Sequence, residues 1–280
     1  MSRLYYPSNK VDFYSGRVLE ELGLSQPPIP VEPILEYFGL PLYRTDDPTF
    51  DPLPEHLREI SKAATAGLCI GDDFAFIWVN GEDSEGRQRL GVFHECGHFD
   101  IPWHRGHSYV CNMESTAKEL MSKLEQEAFR YASKMIFPTA AFREDLMSAP
   151  IGVPSISGLA DRYQASFEAT AIRYIESNPG MCAGMYLRPN PATESTDSPY
   201  VVKYSIKSKR FHHYWKPGEA ISYHDQIESC FLSNRSITCE IPASVFGSQK
   251  KHSYLVEMRP YGPEQMFVLL NIPERQISIL

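Results

Sequence analysis

Along the first 180 positions the apolar residues switch between helical and strand spacing; beyond Gly180 they read as strands. VDFYSGRVLEELGL and VEPILEYFGL recur at helical spacing, whereas AGLCI and FAFIWVN, separated by GDD, are rich in β-branched and aromatic residues and predict a hairpin. The polar turn NGEDSEG leads into RQRLGVFHECGHF, a helical segment. A long helical pattern then runs from about Glu114 to Phe137 and stops at Pro138, which removes a backbone donor and clashes with the preceding turn. Two or three shorter helices are expected up to about Ser177. After NPG, at Asn178 to Gly180, the segments YVVKYSI, SITCEI, HSYLVEM and MFVLLNI read as strands, and PNPATESTDSP reads as an exposed loop. The pattern predicts an α+β protein in three parts. Residues 1–140 form a mainly helical domain with a small antiparallel sheet, 141–179 a helix-turn-helix-like extension, and 180–280 a β-rich domain.

Composition narrows the class without naming a function. Hydrophobic residues make up 42% of the 280 and charged residues 22%, ordinary values for a soluble globular protein. No apolar run approaches the roughly 18 residues that span a bilayer, and the opening MSRLYYPSNKV lacks the apolar core of an export signal. Cys69, Cys96, Cys111, Cys182, Cys230 and Cys239 are scattered without a CxxC pair, which suits reduced thiols and a cytoplasmic location. A net charge of −8 argues against direct nucleic-acid binding by the chain as a whole.

The candidate chemistry lies in GVFHECGHFDIPWH, Gly91 to His104. On a helix, Leu90, Phe93, His94, Gly97, His98 and Ile101 share one face, so two imidazoles point inward one turn apart. That spacing lets both reach one zinc ion at about 2.0–2.1 Å. Glu95, one residue round the helix, is placed to reach a water instead of the metal. HExxH is short enough to arise by chance, so the third ligand decides. His104 has the metzincin spacing, but Ile101 and Pro102 occupy the positions where that pattern turns sharply at glycine. Asp100 lies two residues after His98 and faces away. In KLEQEAFRYASKMIFP, Glu125 shares a helical face with Ala117, Met121, Ala128, Phe129, Ala132 and Ile136 and is expected to be buried there. A carboxylate in an apolar stripe needs a compensating cation, which a metal on His94 and His98 supplies. Glu127 falls with Lys123, Arg130 and Lys134 and is expected to form a surface ion pair. Two imidazoles and a carboxylate suit Zn2+, although Mn2+ or Fe2+ can occupy similar ligands.

GRQRLGVFHECGH followed by EQEAFRYASKMIFP resembles the ImmA/IrrE family of zinc metallopeptidases. Its members combine an Arg-containing lead-in, HExxH and a later helix of the form E-x-E-A-x-x-F-A-x-x-L-L-M-P. Tyr131 stands at the aromatic position and Phe137 in place of the usual Met, and IWVNGEDSEGRQR resembles the family's strand and loop. The resemblance covers roughly residues 30–176 and is strongest over 75–138. It departs where members often carry a further histidine four residues after the second ligand; the nearest here are His104 and His107. The resemblance implies a zincin-like domain, a zinc held by His94, His98 and Glu125, and Glu95 as catalytic base. It also implies peptide hydrolysis in a protein substrate, a helix-turn-helix repressor, in a stress, DNA-damage or mobile-element response. Tyr109, His104 and His107 are candidate donors to the oxyanion. FAFIWVN could present an edge on which substrate adds as a strand, the bland alternative being an interior strand.

Two further segments remain. LADRYQASFEATAIRYIE, Leu159 to Glu176, has the cadence of a helix-turn-helix with Ser166 as N-cap. Asp161, Glu168 and Glu176 weaken a phosphate-binding role, so packing against the catalytic domain is expected. YVVKYSIKSKRFHHYWK is basic and aromatic: a solvated strand face, or a ligand- or protein-docking surface in a sensory, GAF-like domain of the kind some family members carry. The rival to an enzyme is a non-enzymatic regulator that uses the peptidase scaffold and the β-rich domain for binding.

Overall fold

A computed structural model of the chain describes residues 8–47, 64–104, 115–191, 198–262 and 264–272. The protein is α+β and divides into two compact units: residues 1–144 with 160–166, and residues 145–159 with 167–280.

The first unit is mainly helical. Helices α1 (Ser8–Glu21), α2 (Glu32–Phe38), α3 (Glu85–Asp100) and α4 (Ser115–Ile136) accompany strands β1 (Leu42–Arg44), β2 (Ala66–Ile70) and β3 (Ala75–Val79). The expected hairpin is present, Ala66 opposite Val79 and Ile70 opposite Ala75. The short β1 joins β3 in parallel, which makes the sheet mixed. The order is β1–β3–β2, so FAFIWV supplies the central strand with both edges paired. The outer edges among the described residues belong to β1 and β2. The exposed three-residue β1 carries little apolar signal, which is why the sequence did not place it.

α1 buries Val11, Ser15 and Val18, one stripe of a helix. Around it, Asp12 receives Arg130 at 2.7 and 2.8 Å and Lys134 at 3.4 Å, and Arg17 meets Asp100 at 2.7 Å. α4 packs on α3 and α1 and buries Leu124, Ala128, Tyr131, Ala132 and Met135. The contact is close at Gly97: a Cβ there would stand 3.1 Å from Tyr131 Cβ and 3.3 Å from the Ala128 Cα. Glycine between the two histidines therefore lets α4 approach the helix that carries them.

Helices α5 (Thr139–Ser148) and α6 (Val153–Tyr163) each contribute to both units, and α7 (Phe167–Ser177) opens the remainder of the second. That unit holds β4 (Cys182–Pro189), β5 (Tyr200–Lys207), β6 (Ala220–Ile221), α8 (Asp225–Ser233), β7 (Ile237–Pro242), a 3-10 turn (Ala243–Phe246), β8 (Ser253–Pro260) and β9 (Met266–Asn271). The six strands form one antiparallel sheet, β6–β5–β4–β9–β8–β7. Period-two alternation gives the sheet two apolar faces. Met185, Leu187, Val202, Val256, Val268 and Leu270 enter a core completed by Trp215, Phe246 and Ile227. On the other face, Tyr186 packs on Tyr204 and Phe267, with ring centroids 4.6 and 5.0 Å apart.

α7 covers this second face. Its buried Thr170, Ala171, Tyr174 and Ile175 are the apolar stripe, and Glu168 accepts hydrogen bonds from the Tyr204 and Tyr261 hydroxyls. α6 and α7 are joined by a turn that passes through Gln164 at φ 48. The second of these helices, however, is laid on the C-terminal sheet, a correction to the expected packing on the catalytic domain. The tyrosine hydroxyls that hold Glu168 come from β5 and from the residue after β8, 36 and 93 residues away, beyond any local pattern.

Candidate metal centre

α3 starts after Ser84, and its first turns are tied down by polar side chains. Gln88 donates to the carbonyls of Asp83 and Gly81 at 2.6 and 3.3 Å, while Arg89 donates to the Ile29 carbonyl at 2.8 Å. Two turns on, His94 and His98 lie one above the other, 8% and 4% exposed, with their Nε2 atoms 3.0 Å apart. Glu125 reaches both from α4: Oε2 is 3.1 Å from His94 Nε2 and Oε1 is 3.4 Å from His98 Nε2. Among the described residues, His94, His98 and Glu125 are the group of His, Cys, Asp or Glu whose ligand atoms converge closely enough to hold a metal ion.

The donor set fits such an ion. Ligand atoms about 2.0–2.1 Å from a tetrahedral zinc lie about 3.3 Å from one another, close to the 3.0, 3.1 and 3.4 Å found. Burial depresses the His94 pKa and so keeps the imidazole neutral, as a metal ligand must be. Hydrogen bonding from His94, the largest influence, holds the Glu125 carboxyl well below the usual carboxylate range. The three groups thus present two imidazole nitrogens and one carboxylate oxygen to a common point.

Behind His98 stands a chain of buried polar groups that the sequence did not reveal. His98 Nδ1 is 3.0 Å from His104 Nδ1, His104 Nε2 is 3.2 Å from Glu127 Oε2, and Trp103 Nε1 donates to the same carboxylate oxygen at 2.6 Å. A carboxylate only accepts, so His104 carries its proton on Nε2 and accepts at Nδ1. His98 then donates from Nδ1, which leaves its Nε2 lone pair bare toward Glu125. His94 lacks such support among the described residues: its Nδ1 is buried without a partner there, and the ring instead packs on Phe129 with centroids 4.3 Å apart.

Glu95 occupies a different setting. The residue is half-buried, with its carboxyl end enclosed between α3 and β2, where it takes a backbone hydrogen bond from Leu68. Burial, reinforced by the nearby negative charge of Glu125, pushes its pKa up to about 8. A carboxyl poised to exchange a proton near neutral pH therefore sits beside the metal-binding group.

The placements separate the sequence candidates. His94, His98 and Glu125 are brought together, with Glu95 next to them. Glu125 nevertheless has 42% of its side chain exposed, not the core burial expected. The packing stripe of α4 is centred on Leu124, Ala128 and Tyr131, and Glu125 and the 53% exposed Phe129 lie at its edge, at the mouth of the site. Glu127, expected at the surface with Lys123 or Arg130, is 12% exposed and faces His104 and Trp103. The partner of Arg130 is Asp12. Asp100 is buried against Arg17 and the Tyr131 hydroxyl, away from the histidine pair. His104 stands behind His98 with both nitrogens engaged, which gives it no free donor for an oxyanion. His107 and Tyr109 lie outside the described residues.

A helix carrying two histidines and a glutamate, a small sheet beside it and a carboxylate from the next helix make this a metallopeptidase-like scaffold with a candidate metal site. The model of the IrrE N-terminal-like domain, peptidase M78, matches residues 37–174. That match suggests a metallopeptidase-like scaffold and implies a metal. A solved Mycobacterium tuberculosis transcriptional regulator shares the fold over 97% of this chain and 80% of its own, with a TM-score of 0.58 and 14% sequence identity. No curated protein matches the chain. No helix among the described residues is long and apolar enough to cross a membrane.

Proposed function

We propose that the protein is a zinc-dependent endopeptidase in which His94, His98 and Glu125 hold the metal and Glu95 is the catalytic base. The observation that carries this reading is the convergence of three ligand atoms, with Glu95 next to His94 on the same helix. Bound zinc lowers the pKa of a coordinated water from about 15.7 toward about 7 and polarises a carbonyl. Glu95 takes a proton from the attacking water on a carboxylate oxygen as the new C–O bond forms. It returns that proton to the amide nitrogen as the C–N bond breaks. His104 and Glu127 act as positioning residues that keep His98 in the tautomer with a bare Nε2. The β2 edge, whose Leu68 backbone already reaches Glu95, is the place for an extended substrate segment.

The substrate we infer is a helix-turn-helix repressor cut in the cytoplasm during a stress, DNA-damage or mobile-element response; this rests on the family resemblance. Metal analysis of untagged protein tests the chemistry: about one zinc per chain is expected, lost in Glu125→Ala. Wild type that takes up no metal after zinc is added back defeats the reading. A second reading, a regulator without catalysis, draws support from the fold shared with a mycobacterial transcriptional regulator. Full biological activity in a Glu95→Gln variant would favour it.

A further inference from the structure

The sheet of the second unit borders a cavity of about 680 Å³, within the range of small-molecule sites, about 300–1,000 Å³. It lies between the loop that follows β5 and the turn that leads into β8. Its lining includes Lys209, Arg210 and Lys250, all exposed, and contains no Asp or Glu. These three cations form no ion pair among the described residues; Arg210 reaches only the Pro179 carbonyl, at 3.4 Å. In a chain of net charge −8, three unpaired cations around one concavity need a reason.

The inner wall adds a second observation. Both ring nitrogens of His252 and Nε2 of His213, on partly buried side chains, are shielded from solvent and lack hydrogen-bond partners among the described residues. Native proteins rarely leave buried polar atoms unpaired, and each one calls for a ligand, a water or an ion. The nearest carboxylate, Glu219, is 4.0 Å from His213 Nε2. Burial and Lys250 depress the His252 pKa, so the neutral ring offers one donor and one acceptor. Phe211 and Tyr254, almost fully buried, supply apolar surface beside it.

We propose that this cavity binds a small phosphorylated organic compound of nucleotide size, its phosphates on Lys209, Arg210 and Lys250 and its ring system against His252, Phe211 and Tyr254. Cations without carboxylates repel a metal ion, and the forked guanidinium matches phosphate oxygens two at a time. Concavity favours a compact ligand over a polymer, which tracks along an extended basic stripe. The apolar wall favours an organic phosphate over a bare one.

Titration of the full chain with a fluorescent ATP analogue, in metal-free and zinc-loaded protein, tests this. Saturable binding of similar strength in both forms is expected, displaced by ATP more effectively than by pyrophosphate, adenosine or citrate. Arg210→Ala and Lys250→Ala should each weaken binding about tenfold, and the double charge reversal Arg210→Glu with Lys250→Glu about 100-fold or more. The substituted side chains are exposed, and an unchanged melting curve confirms that the variants fold. No saturation by about 1 mM, binding that requires zinc, or indifference to the substitutions would overturn the proposal. So would pyrophosphate matching ATP, or a single-stranded oligonucleotide displacing the probe at lower concentration than ATP.

Discussion

The protein contains two clusters of histidines, and their surroundings assign them opposite partners. In the first unit His94 and His98 meet the carboxylate of Glu125, and a further carboxylate, Glu127, braces the pair from behind. In the second, His213 and His252 line a cavity with Lys209, Arg210 and Lys250, and the carboxylate of Glu219 stands outside the lining, 4.0 Å from His213. The imidazole is the same in both. Imidazoles facing an anion collect a cation; imidazoles among cations await an anion. The difference teaches that a histidine cluster acquires its chemistry from the sign of the charges packed round it.

The sharpest break in that contrast is to remove the anion from the first cluster. Glu125→Ala should abolish zinc retention and, with it, peptide hydrolysis, because two imidazoles alone leave the site one ligand short. Metal analysis after dialysis reads this directly, and retention of one zinc per chain would reassign the third ligand. Next in size is Glu95→Gln. It keeps the ligands and loses the proton carrier, so zinc should stay while turnover of a cleavable protein substrate falls about 10²–10⁴-fold. Equal loss of zinc would make Glu95 part of the metal-binding group.

A smaller effect tests the brace. Glu127→Gln keeps the shape but can present an N–H to His104, which frees the relay to reverse its tautomers and protonate His98 Nε2. Zinc affinity is expected to fall about 10–100-fold, the usual cost of losing an outer partner of a metal-bound histidine. Competition with a zinc chelator gives the number. An unchanged affinity would mean that the Glu127–His104–His98 chain only packs the loop.

Parts of this site were legible in the sequence because they depend on one helix at a time. The i, i+4 spacing placed His94 and His98 together, and the face argument picked Glu125 over Glu127. The same argument misjudged burial in both, because the face of α4 that packs is set by how α3 approaches at Gly97. Glu127 reads as a surface residue until Trp103 and His104, from a segment 24 residues earlier, are brought over it. The strands of the second unit followed the same rule. β5, β7, β8 and β9 show apolar patterns, whereas β4, beginning Cys-Ala-Gly, has little side chain to mark it although it is the second unit's most buried strand after β9. The basic, aromatic run KRFHHYWK could be flagged, but its partners Lys250 and His252 arrive from a distant turn. Short-range periodicity carries ligands on one helix; charge environments are tertiary.

The smallest effect concerns the proton on Glu95. In metal-free protein its folded pKa, about 8, lies above the unfolded value near 4.5. Between those values the folded chain holds a proton that the unfolded chain has released, so stability falls as pH rises from about 4.5 to about 8 and levels off beyond. Glu125 works in the opposite sense: its lowered pKa contributes stability above about 4.5 that is lost as pH falls below it. Metal-free wild type should therefore melt at progressively lower temperature from pH 5 to pH 8. Glu95→Gln, which cannot ionise, should remove that slope while leaving the acid side intact. Zinc should flatten the slope in wild type as well, since a cation beside the carboxylate favours its charged form. Parallel slopes in wild type and Glu95→Gln would place the titrating group elsewhere, and the enclosed carboxyl would then be an ordinary anion held by the Leu68 backbone.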